Sequence, residues 1–245
     1  MTTRNALIIR ISVISVIYFV LHNPVGGAQF DLFQTLLYPI RNFVTFLHEF
    51  GHALAAVITG GSVMSVEIHS GGGGLAWTRG GNPAVVIMGG YIGSALFGNI
   101  LFFIGAKKPK WVKPTLAIII LAMLITGFFW YKTPFTTVLL CIFSAALFII
   151  GFKTKFGRDV LMFLGLASVF YIIQNFNIGP SSDLAAFERE IGFLSAKIWM
   201  YIWLAIALVL LGLNLKMLFN IKDIEEPVPR RRINTARRYN PIKKK

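Results

Sequence analysis

The chain has 245 residues, of which 56% are hydrophobic and only 14% are charged. A soluble domain carries about a quarter charged residues, so this composition excludes an ordinary soluble fold and indicates a membrane protein. Much of the net charge of +14 lies in residues 222–245, beyond the last apolar run, where a basic segment is a topology signal and a contact for anionic lipid rather than a nucleic-acid site.

Seven apolar windows are long enough to cross a bilayer as helices, which takes about 17 to 25 residues. They fall at 5–22, 39–59, 83–105, 114–131, 134–152, 159–177 and 195–219. These windows predict an all-α polytopic membrane domain over residues 1–221, with six or seven transmembrane helices, followed by a disordered basic tail over residues 222–245. The single cysteine, Cys141, excludes a disulfide framework and a cysteine-based metal site within one chain.

The second window, residues 39–59, carries the sequence His48-Glu49-Phe50-Gly51-His52. Residues four apart lie one turn apart on the same face of a helix, so the two imidazoles can bind one zinc ion. Glu49 lies beside them and can accept a proton from water that the zinc ion has made acidic. Because ionisable groups inside a span are costly, the pattern favours a metal site over two histidines that bond to neighbouring helices.

Residues 62–80 break the helical pattern. Two short stretches that mix apolar and polar residues flank the glycines at 71–74, which predicts a small β-hairpin. Backbone of this kind is stable at membrane depth only where protein or a water-filled cavity satisfies its polar groups. The edge of such a hairpin can also bind an extended peptide as an added strand.

The loops that follow the hairpin differ in charge. The loops at 107–113 and 153–158 are basic, whereas the loop around Lys132 between them carries little charge. Alternation of the spans puts both basic loops and the tail on one side of the membrane, which the positive-inside rule makes cytoplasmic. The hairpin is then expected on the opposite, outer face.

A catalytic zinc site needs a third protein ligand besides two histidines. Outside the tail, and apart from Glu49, the chain offers Asp31, Glu67, Asp159, Asp183, Glu188 and Glu190. The segment at 179–183 follows the hairpin by four predicted crossings and so returns to the hairpin face, whereas Asp159 lies at a basic loop. Asp183 is therefore the best third ligand, with an N-cap on the next helix as its alternative role.

These features resemble the site-2 protease family of intramembrane zinc metalloproteases. The resemblance rests on the histidine motif, the following Ala53-Leu54-Ala55-Ala56, the Gly60-Gly61 stop and the glycine hairpin. The pair Ser182-Asp183 and the later Ile198-Trp199 and Trp203 are similar to a compact bacterial branch without an inserted PDZ domain. The similarity extends over most of residues 40–205.

The resemblance implies cleavage of membrane-embedded or membrane-adjacent peptides, with Zn²⁺ on His48, His52 and an aspartate, and with Glu49 as the base. Asp183 is followed by leucine, whereas better-known members have an Asp-Gly pair on a span. The resemblance also implies a zinc site that opens to the cytoplasm. The basic loops predict the outer face instead, and we follow the charge distribution.

Three further residues are candidates for substrate binding. Many members of the family have an asparagine in the span after the hairpin, and Asn99 is the matching residue here. A bond between helices is its alternative role. Gly72 and Gly73 of the hairpin turn are the other two candidates.

The sequence thus predicts a zinc-dependent intramembrane endopeptidase in a bacterial cell membrane, with its C-terminal tail in the cytoplasm. The expected partners are a membrane protein or peptide substrate and anionic lipid at the basic tail, with no nucleic acid. Two other functions stay open. One is a non-proteolytic metal-binding membrane protein that binds a partner or lipid, and the other is a transporter whose charged groups form an ion pathway.

Overall fold

A computed structural model describes residues 3–22 and 30–219, so the basic tail predicted at 222–245 lies outside the described residues. The helices are α1 (Thr3–His22), α2 (Phe30–Ile58), α3 (Pro83–Gly89), α4 (Tyr91–Lys107), α5 (Val112–Phe129), α6 (Pro134–Phe148), α7 (Gly157–Gln174), α8 (Asp183–Ile191) and α9 (Ala196–Phe219). The strands are β1 (Ser62–Ile68) and β2 (Gly74–Arg79). The predicted helical fold with a small antiparallel hairpin is confirmed.

Several helices are long and apolar enough to cross a membrane. Within the described residues these are Pro109–Phe129, Pro134–Lys153, Gly157–Gln174 and Ala196–Leu218. Helices α3 and α4 make a fifth if they count as one span, bent by 48° at their junction. Helix α1 has a shorter apolar stretch, Asn5–Val20, and α2 is not among the spans. The chain is therefore a multi-pass membrane protein with four or five spans by length and composition.

Contacts at both ends give the relative direction of α1 and α7. Arg10 Nη1 lies 2.7 Å from Asp159 Oδ1. About two turns further along α1, the Tyr18 hydroxyl donates to Oε1 of Gln174, which lies near the end of α7, at 3.0 Å. The two helices are therefore parallel, and α1 begins on the face that carries the loops at 107–113 and 153–158. We call this the basic face and the opposite one the hairpin face.

Helix α2 includes the window predicted at 39–59 but is not among the candidate spans of the described residues. Leu37, near its start, belongs to one buried cluster with Tyr18 and Ile172, at the ends of α1 and α7 away from the basic face. Just after its end, the Thr59 hydroxyl accepts from the N–H of Asn82, which follows the hairpin, at 3.0 Å. Helix α2 therefore packs along the length of the hairpin.

The hairpin is attached to the helices through β1. Its two strands pair antiparallel, with one irregularity near the start of β1. On the outer edge of β1, the Val66 N–H donates to the Trp130 carbonyl at 2.8 Å and the Ile68 N–H donates to the Thr136 hydroxyl at 2.9 Å. Because the α5–α6 loop and the start of α6 occupy that edge, β2 forms the opposite edge of the sheet.

Candidate metal centre

The face of α2 that meets the hairpin carries the histidine motif. His48 and His52 lie one turn apart, as their spacing predicts, and their ring centroids are 4.8 Å apart. Their Nε2 atoms are 3.2 Å apart. Both residues line a cleft between α2, the hairpin and the segment that precedes α8.

The start of α8 brings Asp183 to both histidines. Its Oδ2 lies 2.9 Å from His48 Nε2 and 3.3 Å from His52 Nε2. The N-cap of α8 is Ser182, whose hydroxyl accepts from the Ala185 N–H at 3.2 Å. The N-cap role considered for Asp183 is therefore wrong, and its carboxylate faces the histidines.

The environment of Asp183 keeps its carboxyl ionised. Burial acts to raise its pKa, but the hydrogen bonds from His48 and His52 outweigh burial and hold the pKa below its ordinary value. The neighbouring Leu184 and Phe187 are buried in one cluster, which anchors α8 and with it the carboxylate. An anchored, ionised carboxylate is the form that binds a cation.

Helix α3 orients the second histidine. His52 Nδ1 lies 2.7 Å from the carbonyl oxygen of Val86. A carbonyl accepts only, so Nδ1 carries a proton and donates it, and Nε2 is the ring nitrogen that faces Asp183 and His48. Support of this kind from a backbone carbonyl is common for metal-binding histidines.

Tyr91 links the first histidine to the loop before α8. The ring of His48 packs edge-on against the Tyr91 ring, with centroids 4.9 Å apart. The Tyr91 hydroxyl donates to the Asn175 carbonyl at 3.3 Å and accepts from the Asn177 N–H at 3.1 Å. The same side chain therefore positions one histidine and the segment that leads to Asp183.

The three ligand atoms have the spacing that a tetrahedral ion requires. Zinc bonds of about 2.0 to 2.1 Å at tetrahedral angles put ligand atoms about 3.3 Å apart, and the distances here are 2.9, 3.2 and 3.3 Å. Gly90 leaves room beside them, because a Cβ there would lie 2.6 Å from His48 Nε2 and closer still to His52 Nε2. His48, His52 and Asp183 are therefore close enough to bind a metal ion.

Glu49 lies between the histidine pair and the strand edge. Its side chain is buried, at 5% exposure, and its carboxylate accepts from the N–H of Ala76 on β2. Gly74 leaves the room for this approach, because a Cβ at Gly74 would lie 2.8 Å from Glu49 Oε1. A carboxylate in this place can exchange protons with a reacting group in the cleft.

A cleft of about 630 Å³ joins these groups. It is lined by His48, His52 and Asp183, by Glu49, by the glycines Gly72 and Gly73 of the hairpin turn, and by residues of β2. The two glycines predicted to bind substrate therefore lie in the same cleft as the histidines.

Asn99 lies elsewhere. Its Nδ2 donates to the Ala95 carbonyl at 2.9 Å, and its Oδ1 accepts from Asn214 Nδ2 at 2.8 Å. The side chain is buried and does not line the cleft. It bonds between α4 and α9, which is the alternative role expected of it.

The other carboxylates considered as ligands lie apart from the histidine pair. Asp159 pairs with Arg10, Glu67 lies 3.7 Å from His69, and Glu188 accepts from the Ala196 N–H. Glu190 is exposed, and the side chain of Asp31 lies outside the described residues.

Three residues that contact the histidines were not predicted, because no sequence motif marks them: Val86, Gly90 and Tyr91. The available signal was the pair Gly89-Gly90 inside the apolar window at 83–105, because adjacent glycines weaken a helix. The break between α3 and α4 falls there, and it brings the start of α4 against the histidines.

A family model described as Peptidase M50B-like matches residues 11–214. The matched range includes α2, the hairpin and α8, and with them the whole metal centre. No curated protein and no solved structure matches the chain.

Proposed function

The chain belongs to the Peptidase M50B-like family, which is the site-2 protease family, and on that premise we propose that it is a zinc-dependent intramembrane endopeptidase. The observation that carries the proposal is the meeting, in one cleft, of three side chains close enough to bind a metal ion, a buried glutamate and the edge of β2. A transporter or a passive metal-binding protein gives no reason for the glutamate and the strand edge to adjoin the histidines.

His48, His52 and Asp183 hold the ion in this proposal. Two imidazoles and one carboxylate are a donor set of catalytic zinc enzymes, and they leave one position of a tetrahedral ion for water or substrate. Zinc bound there supplies a Lewis acid that polarises the peptide carbonyl and acidifies water. The chain's own contribution is to fix the three donors through α2, Val86 and the buried face of α8.

The substrate binds as an extra strand on β2. Ala76 directs its N–H toward the cleft, so Gly74 and Thr78, two residues away on either side, share that direction. Within the described residues, no bond outside the hairpin reaches the N–H groups of Gly74 and Thr78. An unwound peptide can pair with these groups, which holds its backbone in extended form beside Glu49.

Glu49 moves the protons of the reaction. Its carboxylate accepts a proton from the water whose oxygen attacks the peptide carbonyl carbon, and it then donates that proton to the amide nitrogen as the carbon–nitrogen bond breaks. The products are a carboxylic acid and an amine, and no oxidant or reductant is needed. Burial of Glu49 excludes bulk water from this transfer.

The membrane topology in this proposal has six crossings, formed by α1, the bent pair α3–α4, α5, α6, α7 and α9, with α2 and α8 on the hairpin face. The parallel arrangement of α1 and α7 supports it, because both termini and both basic loops then lie on one side. By the positive-inside rule that side is cytoplasmic, so the cleft opens toward the outer face of a bacterial cell membrane. The tail at 222–245 then contacts anionic lipid.

The proposal is tested with the purified full chain in liposomes that contain a peptide library. We expect wild-type protein to contain zinc and to cleave, and Glu49→Gln to retain zinc but to lose cleavage by about a thousandfold or more. Asp183→Ala should lose zinc. Lys132→Met, a change at a residue that does not line the cleft, is the control and should behave as wild type. Equal cleavage by wild type and Glu49→Gln would overturn the proposal.

A further inference from the structure

An arginine packs against the hairpin turn, where Gly72 lines one end of the cleft. Arg41 precedes Glu49 on α2 by about two turns. Its guanidinium lies against Gly72 and 5.5 Å from the centre of the Tyr38 ring. Tyr171, which lines the cleft, lies near enough for an electrostatic interaction with it.

Arg41 has no counter-charge among the described side chains. No carboxylate there forms an ion pair with it, and its Nε is buried without a hydrogen-bond partner. Arg158 differs, because it donates to the Gly105 and Ala106 carbonyls at 2.7 Å each. A partly buried cation without an anion is costly, and inside a membrane protein such a group marks a binding site.

We propose that Arg41 binds a carboxylate of the peptide substrate, about three residues to the C-terminal side of the cleaved bond. The inference rests on the proposed function, whose substrate class it narrows. A guanidinium presents a planar pair of donors that match the two oxygens of a carboxylate. An aspartate or glutamate side chain and a free C-terminus both supply this group.

The distance along the cleft sets the position of the carboxylate. Gly72 contacts Arg41, whereas Gly74 and Ala76 contact Glu49, so two to four strand residues separate the two side chains. Along α2 the separation is eight residues, or about 12 Å at 1.5 Å each, which an extended peptide covers in three to four residues of about 3.3 Å.

The direction of β2 sets the side of the cleaved bond. β2 begins near Arg41 and is followed by Gly81, where a Cβ would lie 3.2 Å from the Ala56 carbonyl oxygen, so it runs in the same direction as α2. Antiparallel pairing is the commoner arrangement, and a peptide added in that way runs from Ala56 toward Arg41. Its C-terminal part therefore lies beside the guanidinium.

The test measures binding without cleavage, on full-length Glu49→Gln protein in detergent. The probes are apolar ten-residue peptides with amidated C-termini in which one Glu is moved along the sequence, matched Gln peptides, and one Gln peptide with a free C-terminus. We expect one Glu position to bind about ten- to a hundredfold more tightly than Gln. Arg41→Met should remove this preference, and Arg41→Lys should keep part of it.

Two further arms separate the outcomes. Arg41→Glu should invert the preference toward a Lys peptide, whereas the control Lys132→Met should keep the preference for Glu. If the Arg41→Met protein prefers Glu as strongly as the Arg41 protein does, the inference fails, while cleavage by wild type still supports the proposed function. If Arg41→Met changes only the affinity for vesicles of anionic lipid, Arg41 is a lipid contact and the inference fails.

Discussion

Gly90 offers a test of the metal centre that leaves every ligand in place. In Gly90→Ala the new methyl carbon would lie 2.6 Å from His48 Nε2 and closer still to His52 Nε2, whereas such atoms normally approach to about 3.5 Å. The two nitrogens must therefore move by roughly 1 Å, which is beyond the ~0.5 Å that a functional site tolerates. We expect zinc affinity to fall by about a hundredfold, or ~2.8 kcal/mol.

The measurement is a zinc titration of purified protein against a competing chelator, with the melting temperature recorded for each variant. Gly93→Ala, three residues later on α4, is the matched control, because its nearest neighbour would be the Gly51 Cα at 3.4 Å, and its zinc affinity should stay within about twofold of wild type. If Gly90→Ala binds zinc as tightly as Gly93→Ala does, the ion does not lie beside Gly90 and the reasoning is refuted.

Three further predictions follow from the same contacts. Gly74→Ala places its Cβ 2.8 Å from the proposed base and should lower kcat by about tenfold or more with zinc content unchanged. Gly71→Ala, which meets nothing within 4 Å, should keep wild-type kcat; equal values in the two variants would contradict this placement of the base. Tyr91→Phe loses two hydrogen bonds to the loop before α8, so its unfolding free energy in denaturant should fall by about 1 to 2 kcal/mol, and an unchanged value would contradict the linking role. Single cysteines at Lys108 and Lys132, in protein without its native cysteine, should react with impermeant reagents from opposite sides of the membrane, and labelling from one side would exclude six crossings.

The site residues of α2 could be predicted from the sequence because their arrangement depends only on the periodicity of one helix. His48 and His52 meet because any helix brings residues four apart to one face, and Glu49 lies beside them because it is next to His48 in the sequence. The hairpin was equally local, since its glycines allow a turn that a helix does not. The apolar windows located the helices for the same reason, because each was read from a continuous stretch of chain.

The number of spans was harder to predict from the sequence, because hydropathy does not tell which face of a helix contacts protein. Residues 39–59 are apolar enough to suggest a crossing, yet α2 is not among the candidate spans of the described residues. The difference arises because the polar side chains of α2 find partners in β2 and α8. Such partners are separated from α2 along the chain, so no window of sequence contains them.

What the sequence by itself determined is the helix with its histidine pair and glutamate, the hairpin, and the membrane class. Counting the predicted membrane crossings favoured Asp183 as the third ligand, but only the tertiary structure showed that its Oδ2 lies 2.9 Å from His48 Nε2. The structure also places Asn99 away from the cleft, Gly90 against the two histidines and Arg41 against Gly72. The physical reason is that a helix fixes neighbours one turn apart, whereas contacts between distant segments depend on how whole helices pack.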